Sequence, residues 1–119
     1  MRSLYNYHIW FKVCKPIKGK YKLSTNCLLV LSGAYLFQQI RNKPFTQYAL
    51  LKFVTYYDNI RIGKYIKVLI CNGYIIQSGI IKGHNVYSIS LAGLQVIKEL
   101  NESYNKELVL FCSKYGIEL

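Results

Sequence analysis

Residues 58–89 decide the fold: DNIRIGKYIKVLICN from Asp58 to Asn72, then Gly73, then YIIQSGIIKGHNVYSI from Tyr74 to Ile89. In the first half Ile62, Ile66 and Leu69 recur at spacings of four and three, which places them on one face of a helix. Asp58 or Asn59 supplies an N-cap, because a side-chain oxygen there satisfies an orphan N–H of the first turn. Gly73 stands at the C′ position, where a left-handed residue ends the helix. Arg61, Lys64 and Lys67 recur every three residues and form an outward stripe. Beyond Gly73, two β-branched runs flank a turn at about Lys82–Gly83–His84–Asn85, the pattern of a hairpin. A basic helix is therefore followed by a hairpin with Lys82 and His84 at its tip. A stripe of Lys and Arg on a helix is most often only a solvated face, so this pattern needs its surroundings.

Working outward, Ser90 opens a long helix that runs to about Lys114. Within it Ile97, Leu100, Tyr104, Leu108, Phe111 and Tyr115 are spaced 3, 4, 4, 3 and 4 apart, close to a coiled-coil seam. Two readings stand: the seam packs on its own domain, or it pairs with a second copy. The second is preferred, because so long a helix has little remaining domain to cover it. Upstream, Thr46 caps a helix carrying Ala49, Leu50, Phe53, Val54 and Tyr57 on one stripe. Before it, Ser24 or Thr25 caps a helix running to about Ile40 and apolar almost all the way round, which implies burial on several sides. Gly33 in its middle costs about 1 kcal/mol relative to Ala and allows a close crossing. Pro44 biases Lys43 away from helical geometry. Residues 4–14 alternate (Tyr5, Tyr7, Ile9, Phe11, Val13), as a strand would, while Leu4, Tyr7, His8 and Phe11 fit a helix face. The basic stretch from Lys15 to Lys22 holds Pro16 and Gly19 and reads as a loop. The expected organisation is one domain: an N-terminal segment and basic loop (1–22), a core (23–90) and a C-terminal helix (91–119).

The charge balance narrows the function. The formal net charge is +11 over 119 residues, and only one of the five acids, Asp58, lies in the first 98 positions. A cationic body favours a polyanionic partner, since neutralised phosphates release counterions. A basic surface kept for solubility is the competing explanation. Catalysis is poorly provided for: two distant histidines and almost no carboxylates before residue 98 leave no acid–base pair, and no catalytic residue is assigned. The four cysteines, Cys14, Cys27, Cys71 and Cys112, form no C-x-x-C pair, so no metal and no cofactor are expected. Cys27 and Cys71 sit in apolar runs and read as small core residues. The longest apolar run falls well short of the roughly 20 residues of a membrane span. No secretory leader is recognisable in the polar N-terminus, which makes a reducing cytoplasm the default.

The order helix, helix, helix, strand, strand, long helix over roughly residues 22–115 resembles the MarR-type winged helix-turn-helix regulators. The stretch from Gly63 to Gly73 is similar to the end of that family's recognition helix. Tyr74 to Ile76 is similar to the first wing strand, and Tyr87 to Ile97 to the returning strand and the start of the dimerisation helix. In the last piece the family often has Ser or Thr followed three residues later by Gly, here Ser90 and Gly93. The fold the resemblance implies is mainly α with a small β-hairpin (α+β), a winged helix-turn-helix with a long C-terminal helix. The function it implies is sequence-specific binding of double-stranded DNA by a small dimeric transcriptional regulator, with the 60–72 helix in the major groove and the wing on the flanking backbone or minor groove. Carried over residue by residue, Arg61 and Lys64 would contact bases or phosphates, Asn59 a base or backbone, and Lys67 a phosphate. Thr46 and Gln47 would anchor backbone, and Lys82 and His84 would form the wing tip. Ile97, Leu100, Tyr104, Leu108, Phe111 and Tyr115 would form the homodimer interface.

The chain departs from the family in three places. The turn before the recognition helix has no glycine, the wing lacks Asp-x-Arg, and the ambiguous 4–14 segment stands where the family has its first long helix. No membrane contact is expected, and no small-molecule effector is assigned. The alternative is a winged-helix protein–protein interaction or structural module in a nucleoprotein or phage assembly. Against it, the 60–72 helix keeps three basic residues and no acid, where a docking helix tends toward apolar or mixed-sign residues. The common RNA-binding modules leave no trace here, since the sequence has no G-x-x-G loop and no aromatic RNA-binding motif.

Overall fold

The computed structural model describes residues 2–54 and 57–118, with side chains from His8 onward. The elements are α1 (Arg2–Tyr21), α2 (Thr25–Arg41), α3 (Gln47–Phe53), α4 (Asn59–Cys71), β1 (Ile75–Ile81), β2 (His84–Ile89) and α5 (Leu91–Tyr115). The architecture is the expected one of helices with a two-stranded antiparallel hairpin and a long C-terminal helix.

The N-terminal segment differs from the sequence reading. It is one continuous helix, and the Lys15–Lys22 stretch read as a loop is its last turns, with Pro16 inside it. Proline in a helix interior costs about 3 kcal/mol and Gly19 about another 1 kcal/mol. Against this, Ile9, Val13, Cys14 and Ile17 are all buried, at spacings that lay them on one helical face. Burial at about 1.5–3 kcal/mol for each large aliphatic side chain outweighs the two local penalties. The helix face that sequence suggested is also shifted, since Phe11 is largely exposed. The side chains of Leu4, Tyr5 and Tyr7 lie outside the described residues.

α1 runs antiparallel to α5. His8 meets Phe111 with ring centroids 6.0 Å apart, Lys12 pairs with Glu107 at 3.0 Å, and Lys20 with Glu99 at 2.8 Å. The stripe read as a seam for a second copy therefore lies against helices of its own chain. Ile97 and Leu100 belong to the core, Tyr104, Leu108 and Phe111 pack on its edge, and Tyr115 stays exposed. The sequence reading lacked a partner for α5 because it lacked α1.

α2 threads the centre. Ser24 caps it, its hydroxyl accepting from the Cys27 N–H, and Leu28, Val30, Leu31 and Ala34 are fully buried. Gly33 permits the expected close crossing: a Cβ there would stand 2.5 Å from Val54 Cγ2. Thr46 caps α3 by accepting from the Ala49 N–H at 3.1 Å. Of the cysteines read as core, Cys27 is buried but Cys71 is exposed. At 3.6 residues per turn it falls about 140° around α4 from Ile66, away from the inward face.

The wing is anchored at its base. Phe45, just after Pro44, pairs with Tyr87 on the outer side of β2, with N–H to carbonyl distances of 2.9 and 2.7 Å. Gln38 of α2 accepts the Ile89 N–H at 2.8 Å. Ser90 then caps α5 by accepting from the Gly93 N–H, while its hydroxyl donates to the Gly73 carbonyl.

Candidate nucleic-acid interface

α4 is held by its ends. The Asp58 carboxylate accepts the Arg61 N–H at 2.8 Å, so the one acid of the cationic body caps this helix. At the other end Gly73 adopts φ +80. The Tyr74 N–H reaches the Leu69 carbonyl and the Gly73 N–H that of Ile70, the paired bonds of a Schellman stop. Ile62, Ile66 and Leu69 are buried as the periodicity required.

Opposite that face Arg61, Lys64 and Lys67 are exposed. Among the described residues the two ion pairs, Lys12–Glu107 and Lys20–Glu99, both join α1 to α5 and leave this stripe unneutralised. In the second pair the hydrogen bond from Lys20 holds Glu99 below its ordinary range, and the same bond raises Lys20. The carboxylate is thus satisfied away from α4.

The hairpin turns on two residues, Lys82 (φ 52) and Gly83 (φ 78), with Ile81 opposite His84. His84 and Asn85 belong to β2 rather than to the turn. Two positive φ values in succession match the twist of the strands, and they put the Lys82 side chain at the extreme tip. A cavity of about 370 Å³ opens between this tip and the starts of α3 and α4, lined among others by Thr46, Gln47, Asn59, Gly83, His84 and Asn85. Five of the sequence-derived site residues other than the α4 cations thus meet or adjoin one concavity: Thr46, Gln47, Asn59, His84 and, beside Gly83, Lys82.

Three of these residues are already engaged within the chain. Thr46 caps α3, and the Gln47 amide donates to both the Asn59 carbonyl (3.0 Å) and the Asn59 side-chain oxygen (2.9 Å). Sequence reasoning missed another cationic group: Arg41, Lys43 and Lys52 border one shallow depression beside Phe37 and Phe53, and the Lys52 ammonium sits 4.6 Å from the Tyr48 ring centroid. Arg41 and Lys43 stand together visibly enough just before Pro44, but no local pattern brings Lys52 beside them. Only the α2–α3 corner does.

Among the described residues no helix is long and apolar enough to cross a membrane, and no three His, Cys, Asp or Glu side chains gather as metal ligands would.

The arrangement is that of a winged helix: three helices, a hairpin wing, and long first and last helices packed together, in the manner of the MarR type. A solved structure bears the same fold, the selenomethionine derivative of a MepR mutant from a multidrug-resistant S. aureus clinical isolate. MepR is a MarR-family regulator. Its similarity covers 91% of this chain and 76% of that one, with a TM-score of 0.67 and 11% sequence identity. At that identity the likeness is one of fold. No protein-family model matches the sequence, and no curated protein matches it significantly.

Proposed function

We propose that the protein binds double-stranded DNA as a small homodimeric regulator, with α4 in the major groove and the Lys82 tip on the flanking backbone or minor groove. One observation carries the reading: an exposed, unneutralised stripe of Arg61, Lys64 and Lys67 on a helix whose start shares a concavity with a basic wing tip. Arg61 is the residue best suited to read a base, since its fork matches the O6 and N7 of guanine. The four free thiols suit reducing surroundings.

The shape supports the dimer. The radius of gyration is 15.3 Å, against about 13.5 Å for a compact domain of this length. The molecule is elongated, 53 Å along one axis against 27 and 24 Å, and α1 and α5, its two longest helices, pack antiparallel as an arm. Phe11, Val109, Leu110 and Tyr115 on that arm are each more than half exposed, and a second copy would cover them. A protein-docking reading draws on a different observation: Ile60 at the start of α4 is 83% exposed, and Ile80 and Ile81 on the wing are also open.

One titration separates the two. The protein is added to a labelled random-sequence duplex and to single-stranded DNA of equal length, at several salt concentrations. Duplex preference, with log affinity falling about 0.9 per phosphate neutralised for each unit of log salt, is the expected result. Failure to bind either form near physiological salt would sink the DNA reading and favour protein docking. Sedimentation of the free protein, expected as a dimer, tests the arm.

A further inference from the structure

Gln47 and Asn59 occupy positions from which a helix-turn-helix protein would reach DNA, yet their polar groups face each other. Nε2 of Gln47 lies 3.0 Å from the Asn59 carbonyl oxygen and 2.9 Å from its side-chain Oδ1. The two residues are the first of α3 and the first of α4. This amide therefore ties the start of one helix to the start of the other. The seat it needs is supplied by Gly63, one turn further along α4. A Cβ at that position would come within 2.9 Å of Gln47 Nε2 and 3.2 Å of Oε1. Gly63 does not adopt a positive φ, so conformational freedom does not explain a glycine in mid-helix. Room for the Gln47 amide does.

The tie acts at the same turn of α4 that Asp58 caps. Among the described residues, backbone hydrogen bonds between α3 and α4 are absent, and the Gln47 amide makes the polar contact between the two helix starts. The carbonyl of Asn59 belongs to the turn that carries Arg61, and Gly63 is the neighbour of Lys64. Holding that turn against α3 sets the height and rotation at which both cations emerge.

We propose that Gln47 is a positioning residue for the DNA interface: its amide, seated over Gly63, fixes the first turn of α4 and so aims Arg61 and Lys64, without touching the duplex itself. This rests on the reading of α4 as the DNA-contacting helix, and it differs from the role that family resemblance gave Gln47, that of a backbone anchor.

The test is a double-mutant cycle read by duplex titration, joined to amide hydrogen exchange of the free protein. Gln47→Ala lowers duplex affinity about ten-fold, the scale of one lost hydrogen bond, and speeds exchange at Ile62 and Gly63 while leaving α5 unchanged. In the Arg61→Ala/Lys64→Ala background the same substitution costs nothing further. Gln47→Met, which keeps the size but loses the donor without adding charge, behaves like Gln47→Ala. Full additivity in the double background would mean that Gln47 touches DNA directly, which overturns the proposal. Unchanged exchange in Gln47→Ala overturns it too, whatever the binding does. If exchange changes as stated but Arg61→Ala/Lys64→Ala binds duplex as the parent does, the DNA reading of α4 has failed. The role for Gln47 falls with it, and the tie remains a structural contact only.

Discussion

Replacing Gly93 by alanine adds one methyl group where α5 begins, and the structure fixes what that methyl meets. Its Cβ would stand 2.3 Å from the Tyr74 carbonyl oxygen and 2.6 Å from Ile89 Cγ2. A carbon normally approaches a carbonyl oxygen no closer than about 3.3 Å, so α5 and the wing base must separate by roughly 1 Å. The Tyr74 carbonyl accepts the Ser90 N–H at 3.1 Å, and that bond stretches with the separation. Overpacking costs about 1–3 kcal/mol and the weakened bond about 1 kcal/mol. The better helix propensity of alanine returns at most about 1 kcal/mol. The net loss is about 2 kcal/mol. At about 4 °C per kcal/mol for a domain of this size, Tm falls by about 8 °C. Gly19→Ala is the control. It is the same chemical change inside a helix, with nothing within 4 Å of the new methyl, so Tm rises by a few degrees. Thermal unfolding followed by circular dichroism at 222 nm reads both. A Gly93→Ala protein that melts at or above the parent would refute the account of how the wing base meets α5.

Arg61→Ala and Lys64→Ala each weaken duplex binding several-fold with Tm unchanged within a degree or two. For a phosphate contact the slope of log affinity against log salt falls by about 0.9, whereas a base contact relaxes specificity with little change in slope. Lys82→Asn moves two properties in opposite directions: asparagine tolerates the left-handed φ of 52 better, so stability rises by about 0.5 kcal/mol, while duplex affinity drops. Thiol titration of the native protein at pH 7.5 finds one fast cysteine, Cys71, which Cys71→Ser removes. Cys14 stays silent, because burial pushes its thiol pKa up to about 12, and Cys27 and Cys112 are buried.

Where pattern and packing agree, the sequence was sufficient. The caps at Thr46 and Ser90, the stop at Gly73 and the inward face of α4 are local devices readable within about four residues, while at the other two helix starts the sequence offered Ser24 or Thr25 and Asp58 or Asn59, and the structure selects Ser24 and Asp58. The resemblance of Ser90 and Gly93 to a family signature now has a physical content. The serine caps α5, and the glycine leaves room for the Tyr74 carbonyl. α1 was illegible because Pro16 and Gly19 are local signals against a helix, and what overrules them is burial against α5, about ninety residues away. The same blindness made the α5 stripe look unpartnered. At the candidate interface the outward cations were readable, but the Gln47–Asn59 tie was not. Polar side chains at two helix starts look available in a sequence, and only their separation in space shows that they are engaged with each other.

The Phe45–Tyr87 bridge makes the hairpin a continuation of the helical body rather than a loose flap. Its root is held along the edge of β2 that faces away from β1, by Gln38 at Ile89 and by Phe45, the residue next to the cap of α3, at Tyr87. The strand register slips between Gln77 and Gly79, and the Ser78 hydroxyl at that bulge reaches the Val86 carbonyl across the hairpin. The wing base and the foot of the helix that carries Gln47 are thereby joined by two backbone hydrogen bonds, so the place of one is set by the place of the other.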